Sequence, residues 1–367
     1  MTKKKIAVLH YQPLELYPPV SNFINCLQAK NDIRSFVLTT KRGKNYKSLS
    51  FKIPIHRLGV FTKNTIFRYL SYFFFNSIGF ILLLLKRPHY ILYYETLSVF
   101  PAFFYLKIFS KTKLFIHFHE YTTIEEYSNS SLYVKFLHRL ERKMLDRSIS
   151  ISHTNDDRIN LFKQDNIDKH LHHLTRLPNF PPESWYRQSV KREKASITRF
   201  VYIGSLSLEA LYIKQFAQWV KEENGGAELD IYSNNYKEDV IDYLKELNCK
   251  CIKFKGEVNY YSLPDLLPKY DVGLILYKGS LPNHIYCVPN KMLEYYACGL
   301  KVLFSAELIS SLKFKQEFQL ASLIPVDFSK QEEYEHILSK IQAASHDTVP
   351  FTCEKVYDDY LNFIFKK

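Results

Sequence analysis

The chain has 367 residues, 46% hydrophobic and 16% aromatic, with only ten glycines, so it is long enough for two buried cores and too apolar to be disordered. Its formal charge of +13 is uneven: residues 1–180 hold 27 Lys and Arg against 12 Asp and Glu, and the remainder 23 against 25. A basic first half points to a phosphate-bearing partner, nucleic acid or anionic lipid, or else is a merely solvated surface. Lys3-Lys4-Lys5 leads into the run IAVLHY, which reads as a buried first strand and is too short for a secretory core. Further short apolar runs follow at 35–40, 90–95, 114–120 and 148–153, separated by helical segments. That alternation predicts a mostly parallel, doubly wound sheet. The stretch 66–87 approaches the apolar length of a bilayer span, but Arg68 and Asn76 interrupt it and Pro88 with a strand follows at once. It reads as a helix that is buried or grazes a membrane, not as a span.

Prolines and charges across 177–196 mark a linker. A second strand series then runs through 199–205, 228–234, 251–256, 272–277 and 301–305. The expected organisation is one domain over 1–180, a second over 181–350, and a C-terminal helix over 351–367 that can return to the first. Six scattered cysteines, only Cys249 and Cys251 close together, give neither a zinc site nor a disulfide framework and read as reduced.

The chemistry concentrates in 288-VPNKMLEYYACGLKVLFS-305, which reads as a loop, an amphipathic helix from Lys291 to Cys298, and a strand. Asn290 is the expected N-cap and Gly299 the left-handed C-terminal glycine. Glu294 sits in the first turns of that helix, where a carboxylate is ready to accept hydrogen bonds or simply faces solvent. At 201–216 a strand, a turn at Gly204 and a helix make a natural anion site, with Gly204 and Ser205 offering amides and a hydroxyl. Lys214 reads equally as a phosphate ligand or a solvated helix residue, and Lys291 is a second candidate cation. In the first half, His117, His119 and Glu120 lie at a strand's carboxyl end, with the two histidines on one face. No third ligand accompanies them, so a metal is not expected.

The pattern Pro289, Asn290, Lys291, Met292, Leu293, Glu294, Tyr295, Ala297 and Gly299 resembles the donor-site element of GT-B nucleotide-sugar glycosyltransferases, especially the retaining family 4 group. The resemblance runs from about residue 5 to 305 and is strongest in the second half. It implies two Rossmann-like doubly wound parallel-sheet domains facing across a cleft. It implies that Glu294 binds the donor ribose and that Lys291 or Lys214 opposes the leaving diphosphate. By the same likeness the backbone at Glu257 and Val258 meets the nucleobase, and Tyr277, Asn283, His284 and Asn290 line the donor loop. His119 matches the histidine near the donor sugar, and Asp271 reads as structural.

Two departures stand out. Position 286 is Tyr where many relatives carry a second glutamate, and prolines replace the glycine-rich turn after the first strand. The implied reaction moves a sugar from a UDP- or GDP-linked donor to a glycan or lipid-linked glycan. Retention is expected, with no metal and no other cofactor. The expected setting is bacterial surface-polysaccharide synthesis, cytoplasmic and peripheral on the inner membrane face. Rival readings are a sugar-nucleotide epimerase of the same fold and a basic nucleic-acid-binding protein, although the latter gives no reason for Glu294 and its surroundings.

Overall fold

A computed structural model describes residues 3–43, 49–186, 197–347 and 349–366. The chain divides into two units, Met1–Asn179 with Cys353–Lys367, and Phe180–Thr352. Part of the linker expected over 177–196 lies outside the described residues.

In the first unit, uninterrupted apolar runs buried on both faces become the central strands, as parallel sheets covered by helices demand. The strands are β1 (Lys4–His10), β2 (Ile33–Arg42), β3 (Ile55–Phe61), β4 (Tyr90–Tyr94), β5 (Lys113–Phe118), β6 (Ser150–His153) and β7 (Leu174–Arg176). All pairings are parallel, in the order β3-β2-β1-β4-β5-β6-β7. The order reverses between β1 and β4, so the crevice beyond their carboxyl ends is the natural ligand position. The helix Cys353–Lys366 completes this unit against the helix Pro18–Gln28. There Tyr357 meets the Phe23 ring edge-on at 5.4 Å and donates its hydroxyl to Pro19 O at 3.2 Å.

The stretch expected to be helical at 66–87 forms Thr65–Lys86, capped by the Asn64 side chain accepting from Phe67 N. One stripe of it, including Ser71, Phe75, Gly79 and Leu83, is buried against β3, β2 and the helix Val99–Ile108. Gly59 on β3 permits the approach, since a Cβ there would lie 2.4 Å from Ser71 Oγ. The opposite stripe is exposed and apolar.

The second unit contains β8 (Thr198–Ile203), β9 (Ala227–Tyr232), β10 (Ile252–Gly256), β11 (Val272–Ile275), β12 (Lys301–Ser305) and β13 (Leu323–Val326). They are parallel, in the order β10-β9-β8-β11-β12-β13, with the switch between β8 and β11. The strands absent from the sequence reading, β3, β7 and β13, are all at sheet edges.

The reading of every cysteine as reduced is corrected at one pair. Cys249 and Cys251 have their sulfurs 2.13 Å apart in a disulfide, because the turn into β10 brings their Cα atoms to 5.4 Å, a separation that a disulfide spans. Cys26, Cys287, Cys298 and Cys353 are free and buried.

Candidate functional site

The helix bearing Glu294 runs Asn290–Ala297. Its N-cap position is Pro289 rather than Asn290, and no side chain caps it. Proline suits that place because its preset φ starts the turn and it has no N–H to leave unpaired. The helix ends in a Schellman motif: Gly299, at φ +78°, donates to Tyr296 O at 2.9 Å, and Leu300 donates to Tyr295 O at 3.1 Å.

Met292, Leu293, Tyr295, Tyr296 and Ala297 are all buried, as is Glu294 itself at 4% exposure, so the glutamate is not a surface residue. Tyr295 fixes the helix to both strands at the switch. Its ring lies where a Cβ on Gly273 of β11 would come within 2.2 Å, and its hydroxyl accepts the Ile203 N–H from the end of β8 at 2.9 Å. Glu294 is therefore held rigidly in the part of the helix that follows the β11 carboxyl end.

Lys291 donates to Glu294 Oε2 at 2.5 Å, and its ammonium lies 5.7 Å from the Tyr260 ring centre. A buried carboxylate needs such a partner. Among the described residues Oε1 has no hydrogen-bond partner, which leaves it for a ligand hydroxyl. Lys291 thus serves Glu294 first.

Lys214 is exposed on the helix Ile213–Glu222. Its ammonium rests 5.5 Å from the Tyr243 ring centre, and its carbonyl accepts from the Tyr243 hydroxyl at 3.1 Å, so its contacts lead to the neighbouring helix and not to the Gly204 turn. A different lysine reaches the segment that follows that turn. Beyond β11, Lys278 donates its backbone N–H to Ala210 O at 3.0 Å and its ammonium to Leu208 O at 3.1 Å, beside the Tyr212 ring. Glu307, beyond β12, accepts from the Tyr212 hydroxyl at 2.8 Å and from Gly279 N. Burial first, and then Glu307, pushes the Tyr212 phenol up. Lys278, Tyr212 and Glu307 thereby tie together the ends of three strands. Sequence reasoning missed Lys278 and Glu307, although both follow apolar strands at the carboxyl end, where ligands gather.

The Gly204 amide donates to Tyr232 O at 3.1 Å and the Leu206 amide to Asn235 O at 2.9 Å, which anchors the turn to the end of β9. The Ser205 hydroxyl accepts from Asn235 Nδ2 at 3.1 Å. The Gly204 and Leu206 amides are therefore both engaged within the fold, and the Ser205 hydroxyl is bonded to Asn235. After β10, Asn234 Nδ2 donates to Glu257 Oε1 at 2.9 Å, while Val258 packs on the core beneath the Asn290–Ala297 helix. Tyr277 stacks on His284 at 4.8 Å, and Asn283 lies on the same short helix, Pro282–Ile285. Asp271 accepts from Arg199 N at 2.8 Å at the opposite, amino end of the sheet, a structural tie.

The first unit gathers a different chemistry at its own switch. His10 ends β1, Tyr94 and Glu95 end β4, His117 and His119 end β5, and His153 ends β6. His117 Nε2 lies 3.2 Å from His119 Nδ1, and the His119 ring stacks on Tyr94 at 5.1 Å. Burial pushes His10, His119 and His153 down to about 3 and His117 well below its ordinary value, so all four are neutral. His10 Nδ1 and Nε2 and His119 Nε2 are buried without a well-formed hydrogen bond among the described residues. Buried polar atoms left so are suited to a polar ligand.

Glu95 has φ +61°, a strained value for a non-glycine residue, and accepts the backbone N–H groups of His119 at 2.6 Å and Glu120 at 3.4 Å. Burial, and then Glu120, raises its carboxyl to about 8. His10, Glu95 and His153 did not emerge from the sequence. They occupy strand ends whose register only the fold reveals.

Two Rossmann-like parallel-sheet units in one chain define the GT-B fold, and solved structures share it along the whole chain. Sucrose-phosphate synthase from Thermosynechococcus elongatus superposes with a TM-score of 0.74 at 13% identity, covering 99% of this chain and 98% of that one. HepE from Anabaena, solved in complex with UDP-glucose, gives 0.71 at 12% identity, with 99% and 100% covered. WaaG, a glycosyltransferase involved in lipopolysaccharide biosynthesis, gives 0.65 at 11% identity, with 99% and 96% covered. No protein-family model matches the sequence, and neither does any curated protein sequence.

Proposed function

We propose that the protein is a glycosyltransferase that takes a sugar from a nucleoside-diphosphate donor, UDP- or GDP-linked, and passes it to a hydroxyl of a glycan or lipid-linked glycan. The observation that carries this reading is Glu294, buried, paired through one oxygen with Lys291, and held by Tyr295 at the switch of the second unit. A fixed carboxylate with a free oxygen suits the vicinal hydroxyls of a ribose. HepE, which shares the fold, is solved in complex with UDP-glucose, and this supports the same donor class here.

In this reading Lys278 and the Ser205 turn oppose the charge that develops on the departing diphosphate, so that no divalent ion is required. Neutral His119 offers a hydrogen bond to a sugar hydroxyl, not a charge. Retention follows the family 4 likeness, with the leaving phosphate accepting the acceptor's proton. The setting we favour is assembly of a bacterial surface polysaccharide on the cytoplasmic face of the membrane.

Calorimetric titration with UDP and GDP tests the assignment. Glu294→Ala removes charge-assisted hydrogen bonds of roughly 1.5–3 kcal/mol each, so nucleotide affinity should fall tens-fold while the fold persists. Unchanged affinity for both nucleotides would end the assignment. Product analysis with UDP-sugars separates transfer from epimerisation, because an epimerase would return a donor of altered configuration without any acceptor.

A further inference from the structure

The helix Thr65–Lys86 is long and apolar enough to cross a membrane by length and composition. Its surroundings argue for another disposition. One stripe is locked into the first unit through Ser71, Phe75, Gly79 and Leu83, with Gly79 close to Pro101 and Ser71 seated over Gly59. Crossing a bilayer would require pulling this stripe out of a packed core. The other stripe carries Ile66, Leu70, Phe73, Phe74, Ile81 and Leu85, from 45% to 75% exposed. At 1.5 Å per residue these span roughly 28 Å of continuous apolar helix. A surface helix facing only water carries charge on its outward side. This one has no Asp or Glu and only Arg68 and Lys86.

The apolar surface continues onto two neighbouring helices. Phe80 packs against Phe104 of Val99–Ile108, and Phe100 of that helix reaches Phe136 of Leu132–Arg142. Phe104, Ile108, Leu132 and Phe136 are all exposed, Leu132 at 84%. Around these groups the three helices carry Arg68, Lys86, Lys107, Lys135, Arg139 and Arg142, against one acid, Glu141, which is buried. Exposed Asp168 pairs with Arg142 at 2.7 Å and offsets that one charge, while Glu125 and Glu126 belong to the separate short helix Ile124–Asn129.

We infer that this face is a monotopic docking surface for an anionic bilayer. The helix Thr65–Lys86 lies in the plane of the interface with its aromatic and aliphatic stripe among the acyl chains. The surrounding lysines and arginines meet the lipid phosphates. Apolar burial and charge act together here, as they do in interfacial amphipathic helices. The inference goes beyond the transferase reading and rests only on the surface of the first unit.

The test is flotation of the full-length protein with vesicles of phosphatidylcholine alone or with about 30% phosphatidylglycerol, at low and high salt. The expected result is binding to the anionic vesicles that salt weakens but does not abolish. The double variant Phe73→Glu/Ile81→Glu, changed at two exposed positions, should lose binding at least tenfold and keep its UDP affinity and melting temperature. Lys107→Glu/Arg139→Glu should lose mainly the salt-sensitive part. Three results would overturn the inference: no flotation of the parent, undiminished flotation of the Phe73→Glu/Ile81→Glu variant, or resistance of membrane-bound protein to alkaline carbonate extraction, which marks a span. A parent that is dimeric in sedimentation and made monomeric by that variant would also overturn it, by assigning the face to a second copy. Loss of UDP binding by the parent would count against the donor site and leave the docking result untouched.

Discussion

The two units use one architecture for opposite electrostatics. By the structural division the first unit holds 30 Lys and Arg against 15 Asp and Glu, and the second 20 against 22. At the strand switch the arrangement inverts. The basic unit collects neutral imidazoles at the ends of β1, β5 and β6, and the near-neutral unit collects Lys278, Lys291, Glu294 and Glu307. Overall charge thus describes the outer surface of each unit, and the strand ends describe its chemistry.

The largest effect that would break this contrast is at Gly273. A Cβ there collides with the Tyr295 ring at 2.2 Å, so Gly273→Val should displace the Glu294 helix and destabilise the second unit by about 3 kcal/mol or more. Denaturant unfolding should show this with the first unit little changed.

Acid and base should act the other way round, on the first unit. All four fully buried histidines among the described residues lie there. Each is neutral when folded and would take a proton below about 6.5 when unfolded, so unfolding takes up protons and stability falls as pH drops from about 6.5 toward 3. Half-buried His138, held at about 4, adds to this. Glu95 and Glu141 have the opposite sign. Burial raises both to about 8, so they stay protonated when folded but ionise above about 4.5 when unfolded, and stability falls as pH rises from 4.5 to 8. The histidines outnumber them below 6.5. The first unit should therefore be most stable near pH 6.5, with slopes of about 1.4 kcal/mol per pH unit for each net proton. A thermal-melt series from pH 4 to 9 in which the two units keep the same order and spacing would refute the contrast.

The contrast sharpens at the lysines. Lys278→Ala should lower turnover about tenfold or more with little change in melting temperature, whereas Lys214→Ala should barely alter either. Equal effects would mean that the side-chain direction seen at Lys214 does not hold when donor is bound. A smaller loss of stability than at Gly273 is expected at Tyr295→Phe, which removes the acceptor of the Ile203 N–H and should cost about 1 kcal/mol, measurable by denaturant unfolding.

The lysine pair also shows where the sequence stops being readable. The apolar runs of β1, β4, β5, β8 and β12 are continuous because both faces of a covered parallel sheet are buried, and this alone reveals the doubly wound architecture. Three of the four edge strands lack that signature: β3 is half-exposed and mixed, and β7 and β13 have only three and four residues. Glu294 stands out in the sequence because its local order of residues is distinctive, although its burial does not. The direction of the Lys214 side chain was not, since packing of Tyr243 from the next helix sets it. Lys278 and Glu307 lie 29 residues apart in numbering and meet through Tyr212 and Gly279 only once β8, β11 and β12 are aligned. Glu95 is legible only through its backbone conformation.

Hydrogen–deuterium exchange of the full-length protein with and without UDP tests the central claim most directly. The account predicts that UDP slows exchange in the second unit, in the turn after Ile203, at 277–279 and across the helix Asn290–Ala297, and that Glu294→Ala abolishes this protection. Protection confined to the His10 and His119 strand ends of the first unit, or none anywhere at saturating nucleotide, would contradict it.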